Sequence, residues 1–329
     1  MEKMIQDAPI VLVVALLVVG FVLLIKGADY FVEGSSSLAK MFRVPPIIIG
    51  LTIVAMGTSL PETSVSVAAS IAQNNELAVS NAVGSNIFNL IVVIGFCAIL
   101  TPVAVSKETV KRDIPFSAFC AILLLALGLW GLGDKSNSIL GHLDGVLLLI
   151  FFAMYLVVLI RSALRSRRET SATEVEGDGN IKSIPMSLVC IVLGGAAIAF
   201  GGNLTVNTAS RIATDCGMSQ TLVGLTIVSI GTSLPELVTS IVAARKNEVD
   251  MALGNAIGSN IFNILMVLGV ASAISPITFL QENIIDICVL FVLSLIVWIF
   301  AMTRHKIGRL EGVLMILMYA GYAAYIFMR

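Results

Sequence analysis

The chain has 329 residues, of which 57% are hydrophobic and only 12% charged, and its mean hydropathy is +0.99. Soluble domains run near about 45–50% apolar and about 25% charged, so the composition excludes a soluble enzyme or a disordered chain and leaves a polytopic membrane protein. A net charge of −1 offers no basic footprint for nucleic acid.

Ten apolar segments follow in order, at roughly 10–30, 44–72, 78–100, 113–132, 142–161, 184–208, 220–245, 251–274, 284–303 and 308–328. Each is long enough to cross a hydrocarbon core about 30 Å thick. The first begins after nine residues with no A-x-A cleavage pattern, which reads as a retained helix rather than a signal peptide. Lys26 and Asp29, near the end of that segment, read as a local ion pair, with Lys26 able to snorkel. Turn-rich or charged joints separate the segments, and the one long polar stretch, 162–183, reads as a mobile loop. The cysteines, Cys97, Cys120, Cys190, Cys216 and Cys288, form no CxxC pair, and read as small buried apolar residues. His142 and His305 stand at segment ends and read as interfacial residues.

Lysine and arginine set the orientation. With the 162–183 linker in the cytoplasm, alternate joints collect fifteen of the twenty basic residues. Lys3, Lys135, Arg211 and Arg329 fall on the other side, and Lys26 lies within the first segment. This asymmetry fits ten spans with both termini extracytoplasmic.

Residues 50–95 and 224–269 are a gapless internal repeat at an offset of 174, identical at 24 of 46 positions. More weakly, Gly27 aligns with Gly201 and Glu108 with Glu282 at that offset. The expected fold is therefore an all-α membrane protein with ten helices in two five-helix halves, 1–161 and 184–329, joined by 162–183. Five is odd, so the halves insert with opposite topology. Inverted repeats of this kind build secondary transporters that bind substrate at the midplane on broken helices.

The best-matched letters are polar. GTSLPE occurs at 57–62 and again at 231–236. Proline lacks an N–H and clashes with the carbonyl four residues back, so Pro61 and Pro235 free the carbonyls of Gly57 and Gly231 and can turn those of Thr58 and Thr232 inward. Unpaired carbonyls at membrane depth are tolerated where they line a cavity, and an intramembrane carboxylate such as Glu62 or Glu236 signals function. Thr58, Ser59, Glu62 and Ser66 share one broad helical face, as do Thr232, Ser233, Glu236 and Ser240. In the following helices Asn81, Ser85 and Asn89 recur four apart, mirrored by Asn255, Ser259 and Asn263. This makes a ring of hard oxygens without His or Cys. It suits Ca²⁺, Na⁺ or Mg²⁺ rather than zinc or copper. Some of the serines and asparagines could instead be interhelical glue, and the glycines of GSN close-packing points.

GTSLPE followed by GSNIFN, twice, resembles the repeats of the calcium/cation antiporter superfamily, most closely the prokaryotic sodium/calcium exchangers. The resemblance covers nearly the whole chain. It implies a central site on helices two, three, seven and eight, where Glu62 and Glu236 with the carbonyls of Thr58 and Thr232 hold Ca²⁺. The same glutamates with Ser59, Ser233, Ser85 and Ser259 hold Na⁺, and Asn89 and Asn263 complete the ring. Helices one and six are expected to slide over this core and alternate its access. Potassium-dependent relatives typically carry Asp where this chain has Asn263, which favours potassium independence. Proton-coupled relatives usually carry GNxxE-type repeats, and the large calcium-sensing insert of animal exchangers is absent between the halves.

The expectation is a secondary Na⁺/Ca²⁺ antiporter of the cell membrane and not an enzyme. It would be electrogenic if more than two Na⁺ exchange for one Ca²⁺. It would have no cofactor, no obligate protein partner, and Ca²⁺, Na⁺ and the lipid bilayer as its partners. A Ca²⁺/H⁺ antiporter on the same scaffold is the alternative. A channel or an intramembrane hydrolase fits less well, since no His or Lys base accompanies the serines.

Overall fold

The structure, a computed structural model, describes residues 5–6, 8–71, 75–130, 139–170, 182–218, 227 and 229–328. It is almost entirely helical, because a bilayer offers the backbone no water and a helix satisfies its own peptide groups. The first half contains α1 (Ile10–Phe42), α2 (Pro46–Thr58), α3 (Leu60–Ile71), α4 (Ala78–Leu100), α5 (Thr109–Trp130) and α6 (His142–Thr170). The second contains α7 (Ile184–Asp215), α8 (Ser229–Thr232), α9 (Leu234–Arg245), α10 (Val249–Ile274), α11 (Gln281–Arg304) and α12 (Arg309–Met328).

Among the described residues, eight helices are long and apolar enough to cross a membrane, or nine if α2 and α3, bent by 50° at their junction, count as one span. The expected segment 220–245 is seen as α8 and α9. Residues 219–226 and 228, including the start of its repeat motif, lie outside the described residues, as do Lys3, Lys135, Arg329 and residues 171–181 of the linker.

Three boundaries differ from the apolar runs. α1 continues past residue 30 to Phe42, because Phe31, Val32, Ser35, Leu38 and Ala39 keep a buried face at helical spacing. It ends where Arg43 turns left-handed (φ 53°), ahead of Pro45 and Pro46. α7 likewise runs on to Asp215. α6 extends through residues 162–170, read from composition as loop, since Arg, Ala, Leu and Glu are good helix formers. The cysteine expectation also needs correction: Cys97, Cys120 and Cys190 are buried, but Cys216 and Cys288 are exposed. Cys288 sits on the outward side of α11, where a small apolar residue meets lipid as readily as protein.

The core and the periphery separate clearly. In α4 and α10, 78% of the apolar window is buried, against 22% in α1 and 28% in α7. α10 crosses α2 so closely that a Cβ on Gly50 would stand 2.5 Å from the Met251 carbonyl, and one on Gly254 2.5 Å from that of Ile47. Outside this core, α1 and α7 pack along each other through glycines. A Cβ on Gly27 would lie 2.9 Å from the Gly194 carbonyl, and one on Gly201 2.8 Å from that of Gly20.

Short strands tie the two halves at both ends. β1 (Val103–Ala104) pairs antiparallel with β4 (Lys306–Ile307), in register Val103 to Ile307. β2 (Ile139–Leu140) pairs antiparallel with β3 (Ile277–Thr278), in register Ile139 to Thr278.

Candidate functional site

Each GTSLPE stretch breaks its helix at the serine. Ser59 (φ −85°, ψ 14°) and Ser233 (φ −93°, ψ 5°) both sit in the sparsely populated bridge region. The helix restarts at Leu60 and at Leu234, which places Pro61 and Pro235 in its first turn, where a missing N–H costs nothing. π-turns at Gly50–Val54, Phe88–Val93 and Asn263–Val267 loosen the backbone around the same region.

The breaks bring the polar residues of the two halves together. Ser59 Oγ donates to Glu236 Oε1 at 2.8 Å, and Ser233 Oγ donates to Glu62 Oε1 at 3.4 Å. Each carboxylate is therefore held by the serine of the opposite half. Thr58 Oγ1 lies 3.1 Å from Asn255 Oδ1, and Thr232 Oγ1 lies 3.5 Å from Asn81 Oδ1, again across halves. Asn81 Nδ2 donates to Ser66 Oγ (3.3 Å) and Asn255 Nδ2 to Ser240 Oγ (2.9 Å), so these four residues are internal bracing.

Thr58, Ser59, Glu62, Ser85, Asn89, Ser233, Glu236, Ser259 and Asn263 are essentially fully buried, and Thr232 retains 9% exposure. Neither glutamate has an ion-pair partner among the described residues. On the expected site residues, six buried side-chain oxygens lack a hydrogen-bond partner: Glu62 Oε2, Ser85 Oγ and Asn89 Oδ1 from one half, and Glu236 Oε2, Ser259 Oγ and Asn263 Oδ1 from the other. Orphaned buried acceptors are costly. Six hard oxygens with two carboxylates among them match the 6–8 oxygens that Ca²⁺ takes in flexible geometry. Among the described residues, no three His, Cys, Asp or Glu side chains gather into a group that could hold a metal, and the donor set is that of an s-block cation.

A family model described as sodium/calcium exchanger protein matches residues 12–161 and 186–328. The chain belongs to the sodium/calcium exchanger protein family. It is 40% identical to the putative antiporter CaxA of Alkalimonas amylolytica, over 94% of this chain and 97% of that protein. It is 33% identical to the sodium/calcium exchanger MaX1 of Methanosarcina acetivorans, over 95% of this chain and 97% of that protein. Its fold matches a structure of the sodium-calcium exchanger NCX_Mj, soaked with Na⁺ and Sr²⁺, with a TM-score of 0.82 and 35% identity, covering 96% of this chain and 99% of that one. This exchanger-family chain is a multi-pass protein of the cell membrane.

Sequence reasoning missed one element of the site. Asn86 Nδ2 donates to the Asn260 carbonyl (3.0 Å) and Asn260 Nδ2 to the Asn86 carbonyl (3.1 Å), a reciprocal bridge between residues 174 apart. Asn263 Nδ2 then donates to Asn86 Oδ1 at 3.1 Å. The signal was present, since Asn is the third letter of both GSN triplets, next to Ser85 and Ser259 of the expected ring. The expected Lys26–Asp29 pair is long, at 4.0 Å, and Asp29 has a closer partner in Lys246 at 3.3 Å.

Proposed function

We propose that this chain exchanges Na⁺ for Ca²⁺ by alternating access, with Glu62 and Glu236 as the shared charged ligands. The observation that carries the reading is the exchange of serine–glutamate hydrogen bonds between halves, which leaves one free oxygen on each carboxylate. Ca²⁺ would be held by Glu62 and Glu236 with the carbonyls of Thr58 and Thr232. Na⁺ would use the same glutamates with Ser59, Ser233, Ser85 and Ser259, while Asn89 and Asn263 close the ring. The family resemblance supports this assignment of ligands.

The architecture in this proposal is ten helices in two inverted halves, 1–161 and 184–329, with 162–183 and most basic residues in the cytoplasm and both termini outside. α1 and α7, peripheral and packed on each other through glycines, would move as a pair over the fixed core. Two dry carboxylates without a counter-charge oppose the crossing. Ca²⁺, or several Na⁺, offsets them and permits it. The two ions compete for the same oxygens, and that competition enforces exchange. The protein works as a secondary transporter and performs no covalent chemistry. With more than two Na⁺ per Ca²⁺ the exchange moves net charge. Asn263 in place of a carboxylate leaves less charge to offset a co-transported K⁺.

Uptake of ⁴⁵Ca²⁺ into proteoliposomes loaded with Na⁺, K⁺ or a low-pH buffer tests the proposal. Uptake that needs internal Na⁺, ignores K⁺ and disappears in Glu62→Gln and Glu236→Gln is the expected result. Uptake driven by protons alone would reassign the chain as a Ca²⁺/H⁺ antiporter on the same scaffold.

A further inference from the structure

A cavity of about 230 Å³ opens beside the site on the α7 side, lined by Gly202, Asn203, Val206 and Asn207 of α7 together with Thr232 and Pro235. Thr232 borders it and is the one site residue with residual exposure. At the repeat offset of 174, the α7 lining residues correspond to Ala28, Asp29, Val32 and Glu33 of α1, and Thr232 to Thr58. Those α1-side equivalents tell a different story. Ala28, Val32 and Thr58 are fully buried, whereas Val206 and Thr232 keep partial exposure.

The charged positions explain what holds the α1 side shut. Lys246, just after α9, contacts Asp29 Oδ1 at 3.3 Å and Glu33 Oε1 at 3.7 Å, and donates to the Asp29 carbonyl at 3.1 Å. Lys182, just before α7, contacts Glu33 Oε2 at 3.0 Å. Glu248 accepts a hydrogen bond from Ser36 and lies 3.7 Å from Lys40. Asp29, Glu33, Ser36 and Lys40 recur at helical spacing on one face of α1. All four are thus bonded across to the α9–α10 junction. The repeat-equivalent positions are uncharged in sequence: Asn203, Asn207, Ser210 and Thr214 on α7, with Ala72 and Asn74 at the α3–α4 junction.

We infer that Lys246 with Asp29 and Glu33 of α1 forms an ionic latch that closes the α1-side mouth of the cation path. Among the described residues it has no counterpart at the α7-side mouth, where the Arg211–Asp215 pair lies within α7 itself. The inference rests on the alternating-access reading. Because the positions of Asp29, Glu33 and Lys246 are charged in one half only, the two access states of this inverted repeat are unequal. The latch favours the state open beside α7, and the α1-side mouth opens only when these ion pairs part. Exposed pairs of this kind each shift an equilibrium by about 1.5- to 5-fold, so losing the two that Lys246 makes shifts it by about 2- to 25-fold. Both pairs face solvent, so the shift is screened by salt.

The test reads access to residue 239. Thr239 is the repeat equivalent of Val65, which lines the open cavity, and it is fully buried with an unpartnered hydroxyl. Thr239→Cys protein in proteoliposomes is treated at low ionic strength with a membrane-impermeant thiol reagent, from the face that carries Lys246. Modification at residue 239 is followed by mass spectrometry, which separates it from the native cysteines. Lys246→Gln is expected to raise the rate about 2- to 25-fold, whereas Lys246→Arg leaves it near the parent value. High choline chloride should raise the parent rate and leave Lys246→Gln unchanged. Equal rates in parent and Lys246→Gln, or no labelling in either, would overturn the latch. The labelling requires no calcium flux. A chain that moves no calcium can therefore still show the latch, and a working exchanger with equal rates loses only the latch.

Discussion

Glu236→Gln separates the charge of the site from its shape. Glu236 is fully buried, accepts the Ser59 hydroxyl at 2.8 Å, and leaves Oε2 without a partner. Glutamine keeps the volume and an acceptor for Ser59 while removing one of two negative charges. A cation left half compensated in a dry site resembles a broken buried ion pair, which costs about 3–5 kcal/mol. At about 1.4 kcal/mol per factor of ten, Ca²⁺ binding weakens by about a hundred-fold to a few thousand-fold. The cation-free protein moves the other way. It exchanges a desolvated charge for a neutral amide and becomes more stable by about 1–2 kcal/mol. Ca²⁺ at 100 times the parent Kd stabilises the parent by about 2.7 kcal/mol, whereas a variant a hundred-fold weaker gains only about 0.4 kcal/mol at that concentration. Thermal unfolding in detergent, with and without Ca²⁺, reads both effects. A variant whose Tm still rises fully with Ca²⁺ would refute the role of Glu236. A variant less stable than the parent without Ca²⁺ would show that its carboxylate is structural.

Ser59→Ala removes the hydroxyl on Glu236 but leaves both carboxylates, so it should raise the Na⁺ concentration for half-maximal exchange about tenfold or more while changing Ca²⁺ affinity less; unchanged Na⁺ dependence of ⁴⁵Ca²⁺ uptake would remove Ser59 from the sodium site. Asn86→Ala breaks the bond to the Asn260 carbonyl and strands Asn263 Nδ2, so thermal unfolding without cation should show a loss of about 2–4 kcal/mol. Gly27→Ala places a Cβ 2.9 Å from the Gly194 carbonyl and the Ile198 nitrogen, forcing α1 and α7 apart; turnover should fall while the calcium-induced Tm shift persists, and an unchanged exchange rate would show that this contact does not limit movement. If three Na⁺ leave the vesicle for each Ca²⁺ entering, an inside-positive potential set with valinomycin accelerates uptake, each 100 mV acting on one charge with about 2.3 kcal/mol.

Much of the site was legible because it is polar where the surroundings are apolar. The repeated Thr-Ser-x-Pro-Glu and Ser-Asn-x-x-Asn positions stand out once the repeat is aligned, and all ten expected residues are buried. Helix ends were less legible. α1 continues through Gly34 and three serines, residues of modest helix propensity, because that face is buried against α7, where Gly34 meets the Ser187 carbonyl. The Asn86–Asn260 bridge was hidden for another reason: a side-chain amide bonding to a backbone carbonyl leaves no complementary residue to find. Asp29 could be paired from sequence only with its neighbour Lys26. Its closer partner, Lys246, comes from a different helix pair and depends on tertiary packing.

The crossed serines bear on why the two halves act as one. If each glutamate were braced within its own half, either half could hold a cation by itself and the halves could part without penalty to the site. Here Ser59 reaches Glu236 and Ser233 reaches Glu62, so separating the halves unsatisfies two buried carboxylates at once. Breaking a hydrogen bond to a buried charge costs about 1.5–3 kcal/mol, and two are broken together. The reciprocal Asn86–Asn260 bridge adds a second pair of crossed bonds at the same interface. The central helices are therefore the part of the molecule least free to move. An access change that keeps the cation cage intact has to occur outside them, at α1 and α7, whose glycine-lined contact carries few polar bonds and whose ties to the core concentrate at the charged α1 mouth.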